Sequence, residues 1–148
     1  MDGRLELLRG VVHPPHHDHF GHMNVRFYGH FFDDAAYHMW TLLGLPYSRM
    51  IPEHGVHTVA GRSTTNYIRE LTAGDLIVID GAVTRIGTKS TTFHLRMHHA
   101  DTNMLQATYD VVEVFFDPKT RRSAAMPPEV RACLEAQLLH NHDAVSSR

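Results

Sequence analysis

The sequence predicts a single α+β domain in which one long buried helix is wrapped by an antiparallel sheet and followed by a C-terminal helix. Three observations carry that reading. From about Val25 to Leu43, Phe27, Tyr28, Phe31, Phe32, Ala35, Ala36, Met39, Trp40 and Leu43 recur at spacings of three and four, a stripe wide enough for a helix buried against a sheet. After Gly55 the chain turns strand-like, rich in Thr, Val, Ile and Phe and punctuated by turn residues. Finally, Pro127-Pro128 precedes an amphipathic stretch from Glu129 to His140, with proline near the first turn, where its missing N–H is harmless.

In chain order, Leu5 to Val12 reads as a short strand, stopped by Pro14-Pro15, which cannot continue regular hydrogen bonding. His16 to Asn24 is a loop with its turn at Gly21, and Asn24 is a helix N-cap candidate. Gly44 and Pro46 end the helix. Tyr47 to Gly55 is a loop with room for a helical turn. Val56 to Ala60 and Ser63 to Glu70 read as two strands. Ala73-Gly74-Asp75 turns the chain into Leu76 to Ile86, whose alternation is interrupted by Gly81. Gly87-Thr88-Lys89 turns it again into Ser90 to His99, and Asp101-Thr102-Asn103 marks a hairpin to Met104–Phe116. Consecutive hairpins predict a meander. The tail from Asn141 reads as frayed.

Composition bounds the function. The 148 residues, 43% hydrophobic, suit one domain, and a net charge of -2 gives no electrostatic basis for binding DNA or RNA. Cys133, the single cysteine, has no internal disulfide partner, which fits a reducing compartment. With no apolar N-terminal leader or membrane-length run, the expectation is a cytoplasmic protein without membrane contact.

The chemistry concentrates between His13 and Trp40. Asp18 lies among His16, His17 and His19, just ahead of a Gly-His-Met-Asn turn and the buried helix. A helix start offers unpaired backbone N–H groups and a positive dipole end. An acid facing it makes a plausible active site, the alternative being an acid that merely caps the helix. The same histidines with Asp18 invite a zinc reading. Adjacent loop histidines do not reproduce a helical i, i+4 pair, however, and no second ligand cluster is evident, so no metal and no other cofactor is expected.

The pattern D-x-x-G-H-x-N-x-x-x-Y, here Asp18, Gly21, His22, Asn24 and Tyr28, resembles that of the hotdog-fold acyl-CoA thioesterases of the 4-hydroxybenzoyl-CoA thioesterase-like superfamily. The helix text FYGHFFDDAAYHMWTLLGLP and the segment NYIRELTAGDLIVIDGAVTRIGTKS are similar to further landmarks of that family. The resemblance spans roughly residues 8–135. It implies a single hotdog domain, with a helix wrapped by a five- or six-stranded antiparallel sheet. It also implies a homodimer with interfacial active sites, two such dimers often forming a tetramer. It places the catalytic acid at Asp18, as general base or nucleophile, and the oxyanion-polarising N–H at Val25. Where some family members carry a histidine just ahead of the helix, this sequence has Val25.

On that reading His19, His22, Asn24 and Tyr28 line the substrate pocket, while Thr58, Val59 and Ala60 approach the neighbouring subunit's acid. Phe31 and Phe32 read as core, with one of them able to floor the acyl pocket. Arg62, Arg69, Arg85 and Lys89 are the candidates for coenzyme A phosphates. The competing readings are a non-catalytic acyl-CoA-binding hotdog module and a hotdog hydratase or dehydratase. The sequence does not fix the acyl group.

Overall fold

The computed structural model describes residues 3–139. Strand β1 (Leu5–Val11) leads through a short 3-10 turn at Pro14–His16 to helix α1 (Val25–Leu42). A second 3-10 turn runs into the short helix α2 (Met50–His54). Strands β2 (His57–Tyr67), β3 (Leu76–Ile86), β4 (Ser90–His99), β5 (Leu105–Asp117) and β6 (Arg122–Ser123) follow, and helix α3 (Pro128–Glu135) comes last. The sheet is antiparallel, in the order β1-β3-β4-β5-β2, with the two-residue β6 added to β5. This is the α+β hotdog architecture. Among the described residues no helix is long and apolar enough to cross a membrane.

Helix α1 forms where its apolar spacing requires. The Asn24 side chain caps it by accepting the Arg26 N–H at 3.1 Å, satisfying one of the donors a helix start leaves over. Tyr28, Phe32, Ala35, Ala36, Met39 and Trp40 are buried against the sheet. Phe32 stacks on Tyr109 at 4.9 Å between ring centroids, and Trp40 meets Phe93 edge-on at 4.9 Å. Each large side chain removed from water contributes about 1.5–3 kcal/mol. At Gly81 on β3 a Cβ would sit 2.7 Å from Leu7 Cδ1 of β1 and 3.0 Å from Met39 Sδ of the helix. Its break in the strand's alternation makes room for the helix.

Two element extents and one strand pairing depart from the sequence reading. The two strands expected over residues 56–60 and 63–70 are one 11-residue strand, its register shifted between Ala60 and Arg62, where Gly61 forms a bulge. That strand is no neighbour of β3, as a meander requires; it pairs with β5 at the far edge. Helix α3 stops at Glu135 rather than His140, because the chain then turns onto β3, where Leu138 bridges Val83 and the Leu139 N–H donates to the Val83 carbonyl at 2.8 Å. His140 and the tail from Asn141 lie outside the described residues.

Two buried carboxylates interrupt the apolar interior. Asp80 accepts hydrogen bonds from Arg4 Nε at 2.7 Å and Arg96 Nη2 at 2.8 Å. Burial pushes its carboxyl up, but hydrogen bonds from His98, Arg96 and Arg4 outweigh this and hold it below the usual range. Glu113, 9% exposed on β5, accepts the Thr58 hydroxyl at 2.6 Å. Here burial wins: it raises the Glu113 carboxyl above the ordinary value, against the hydrogen bonds from Thr58 and Trp40 and with a further push from Asp33.

Two predictions follow from this packing. Gly81→Val forces methyl groups onto Leu7 and Met39, and is expected to lower the stability by about 1–3 kcal/mol, read as a lowered urea midpoint with unchanged slope. For Glu113 the folded chain holds a proton that the unfolded chain has already released. Its contribution is therefore intact below the unfolded carboxylate range and is lost as pH rises through the folded value. Glu113→Gln, which cannot ionise, is expected to match the parent in melting temperature below the unfolded carboxylate range and to exceed it as pH rises through the folded value, with no further gain above that.

Candidate active site at the start of the long helix

The loop ahead of α1 is bracketed by backbone bonds. The Asp18 N–H donates to the His22 carbonyl at 2.8 Å, the Asn24 N–H to His16 at 2.8 Å, and the Met23 N–H to Leu71 at 2.7 Å. Gly21 closes the turn at a φ of 83°, in the left-handed region that favours glycine. Inside this turn Asp18 Oδ1 accepts the Phe20 N–H at 2.8 Å and the His22 N–H at 3.4 Å. The Phe20 bond leads in lowering the Asp18 carboxyl below its ordinary value; the His22 N–H and the nearby His19 and His22 imidazoles add to it. The acid is therefore held as a carboxylate. Oδ2 has no hydrogen bond among the described residues.

Asp18 opens on a crevice of about 500 Å³ shared with Val25, Tyr28, His22 and Arg69. Val25 is the first residue of the helix, so its N–H has no intrahelical acceptor, and no other acceptor meets it among the described residues. Tyr28 forms the back wall: 3% exposed, it donates its hydroxyl to the Arg69 carbonyl at 3.3 Å and packs edge-on against Tyr67 at 5.1 Å. Burial, with Glu70 and Tyr67 nearby, pushes its phenol up to about 12, so it stays a neutral donor. The mouth is apolar and open, with Phe20 74% and Val25 58% exposed.

The structure thus brings Asp18, His22, Val25, Tyr28 and Arg69 together. Asn24 is spent on the helix cap, and His19 stacks on Phe20 at 4.0 Å outside the crevice lining. The loop histidines diverge. His16 packs on Phe27 at 4.8 Å, His17 Nε2 accepts the Ala73 N–H at 2.7 Å, and His22 Nε2 lies 2.9 Å from Glu70 within the same chain. Among the described residues no three His, Cys, Asp or Glu side chains converge on a point that could hold a metal ion. Of the four basic candidates, only Arg69 reaches the crevice. Arg62 and Arg85 line a separate depression with Asp110, and Lys89 sits in the exposed β3–β4 turn.

Thr58, Val59 and Ala60 line a second cavity, of about 250 Å³, with Asp33, Tyr37, Trp40 and Glu113. Glu70 and Glu113 escaped the sequence reading. Glu70 left no signal beyond ordinary polarity. Glu113 did: it is a lone acid in the apolar strand text VVEVFF.

A family model described as the thioesterase-like superfamily matches residues 12–134. No match is found among curated protein sequences. Among solved structures, the chain is similar to the protein SAV2348 from Staphylococcus aureus, determined in complex with CoA, at 21% identity over 90% of this chain and 84% of that one, with a TM-score of 0.81. It is similar to YbaW from Escherichia coli, a probable thioesterase, at 23% identity over 88% and 97%, with a TM-score of 0.76. It is also similar to Slr0204 from Synechocystis, a 1,4-dihydroxy-2-naphthoyl-CoA thioesterase, at 13% identity over 93% and 98%, with a TM-score of 0.78. At these identities the structures speak to the fold; with the family model spanning most of its length, the chain belongs to the thioesterase-like superfamily.

Proposed function

We propose that this enzyme, a thioester hydrolase by family, cleaves acyl-CoA to the free acid and CoA at the Asp18 crevice. One observation carries the reading: Asp18, held as a carboxylate, and Val25, whose N–H has no acceptor among the described residues, line the same cavity. A thioester carbonyl needs a donor where its oxygen becomes negative and an activated attacker. The Val25 N–H serves the first need, where a well-aimed donor contributes about 3–4 kcal/mol. Asp18 serves the second, either deprotonating a water or attacking the carbonyl to give an anhydride that water then opens. In both routes a carbon–oxygen bond forms, the carbon–sulfur bond breaks, and CoA leaves as the thiolate. Arg69 at the crevice is the best placed of the basic residues to meet a CoA phosphate. A CoA complex in one structural neighbour and thioesterase descriptions in others support the substrate class.

The site is completed by a second copy of the chain. Strand β2 is a sheet edge, exposed along most of its length, and such an edge invites pairing. An antiparallel pair of β2 strands related by a two-fold near their middle sets residues 58–60 of one copy beside residues 64–66 of the other, next to the crevice. Sedimentation is expected to give the mass of two chains or a multiple of it.

In a thiol-release assay over a panel of acyl-CoAs, Asp18→Asn is expected to lower kcat/KM about 10²–10⁴-fold. Because the turn N–H groups keep Asp18 ionised, the parent's kcat/KM should hold as pH falls and drop only below the ordinary carboxylate range. No thiol release from any ester, or an unaffected Asn variant, overturns the assignment.

A further inference from the structure

We infer that His17 is a positioning residue for Asp18: its ring fastens the loop that carries the carboxylate to the turn between β2 and β3, and so sets where the carboxylate points. For its catalytic consequence this rests on the acyl-CoA hydrolase reading above; the fastening itself does not.

The turn over residues 71–75 is a rigid post. Leu71 is fully buried. The Asp75 carboxylate accepts the Thr72 N–H at 2.8 Å and lies 3.3 Å from His99 Nε2 of β4. The end of β1 grips the same turn: the Val12 N–H donates to the Asp75 carbonyl at 3.0 Å, and the Gly74 N–H to the Val12 carbonyl at 2.8 Å. A group bonded to this turn is therefore held in register with the sheet.

The loop meets the post at two points, and they flank Asp18. On one side the Met23 N–H donates to the Leu71 carbonyl at 2.7 Å; on the other His17 Nε2 accepts the Ala73 N–H at 2.7 Å. His17 and Met23 are also bridge partners, so residues 18–22 form a closed lobe carried by that pair. One attachment leaves such a lobe free to swing; two fix its direction. The Met23 attachment is backbone to backbone, whereas the other depends on the identity of residue 17.

The neighbouring imidazoles do different things. His16 Nδ1 accepts the His13 N–H of its own turn, His19 stacks on Phe20, and His22 meets Glu70. In His17 the accepting nitrogen carries no proton, so the neutral ring holds its proton on Nδ1. Because the Ala73 bond lies near solvent, water can replace the ring there at little cost in stability. Losing His17 therefore frees the lobe without unfolding the chain. The Phe20 and His22 N–H groups that Asp18 accepts belong to the lobe itself and move with it. The carboxylate keeps its charge and loses its aim at the space before Val25.

The test uses three variants of the full chain in the thiol-release assay. His17→Ala is expected to lower kcat about 10–100-fold, with KM, the melting temperature and the acid limb of the pH profile close to the parent's. Glutamine carries Oε1 as many bonds from the backbone as Nε2, so His17→Gln should recover most of the lost kcat; His17→Asn, whose oxygen falls one bond short, should not. A His17→Ala variant with the parent's kcat, or a glutamine variant no better than alanine, overturns the positioning role and leaves the hydrolase reading standing.

If no ester is hydrolysed, the hydrolase reading fails, and amide exchange followed by NMR still decides the fastening. In His17→Ala the Ala73 and Phe20 amides are expected to exchange about five- to tenfold faster, the amides inside α1 staying as in the parent, and His17→Gln should restore both. Unchanged exchange at Ala73 and Phe20 in His17→Ala overturns the inference.

Discussion

The bracket that ties residues 16–24 to the segment after β2 is the constraint on which the site depends. A free loop carrying an aspartate samples many directions, and a catalytic carboxylate misplaced by an ångström loses much of its worth. Here the Asn24 N–H to His16, the Asp18 N–H to His22 and the Met23 N–H to Leu71 fold the loop back on itself and fasten it to the segment after β2. The carboxylate then accepts the Phe20 and His22 N–H groups, which fixes its orientation and its charge together. The loop ends at the Asn24 cap, so the helix start, with its unpaired N–H at Val25, is held in register with the acid. The acid and the helix start are both set by one run of fewer than ten residues, and the buried stripe of α1 anchors that run to the core.

Local sequence explains why the fold was legible in part. The α1 stripe and its cap are local, and the helix begins at Val25 as read, ending one residue earlier than expected. Strands β3 and β4 fall where turn residues bracket them. What local reading missed is the partner of β2. Neighbouring strands pair in sequence order when short turns join them, but β2 is followed by the Ile68–Asp75 segment, which is fastened to the Asp18 loop and to the end of β1 rather than closing a hairpin. Its pairing with β5 is a long-range consequence of the sheet curling round α1. The end of α3 was misread for a similar reason: Leu138 and Leu139 continue an apolar spacing, but their burial comes from β3.

The candidate site divides along the same line. Asp18, Val25 and Tyr28 lie close together in sequence, so their pattern survives in the text. Arg69 and His22 were named, but the within-chain contact of His22 with Glu70 spans 48 positions and leaves no spacing signature. Thr58, Val59 and Ala60 are read from sequence as the approach to a neighbouring subunit's acid; within one chain they border the second cavity. Glu113 shows what a strand can disclose. A carboxylate at an inward position, between buried Val111 and Phe115, breaks the apolar face of β5, and its identity alone marks the position as paid for by something other than packing.

That cost bears on how the two cavities relate. A buried acid whose carboxyl is pushed up by desolvation subtracts from stability at neutral pH, and a glutamine would keep the Thr58 contact without the penalty. Asp80, by contrast, is neutralised by Arg4 and Arg96, so its burial is compensated inside the fold. Glu113 has a hydroxyl and an indole N–H but no cation among its hydrogen-bond partners, and it borders an empty space rather than packed side chains. Strand β2 lines this cavity through Thr58, Val59 and Ala60 and reaches the Asp18 crevice at Tyr67, so one element sets the positions of both cavities.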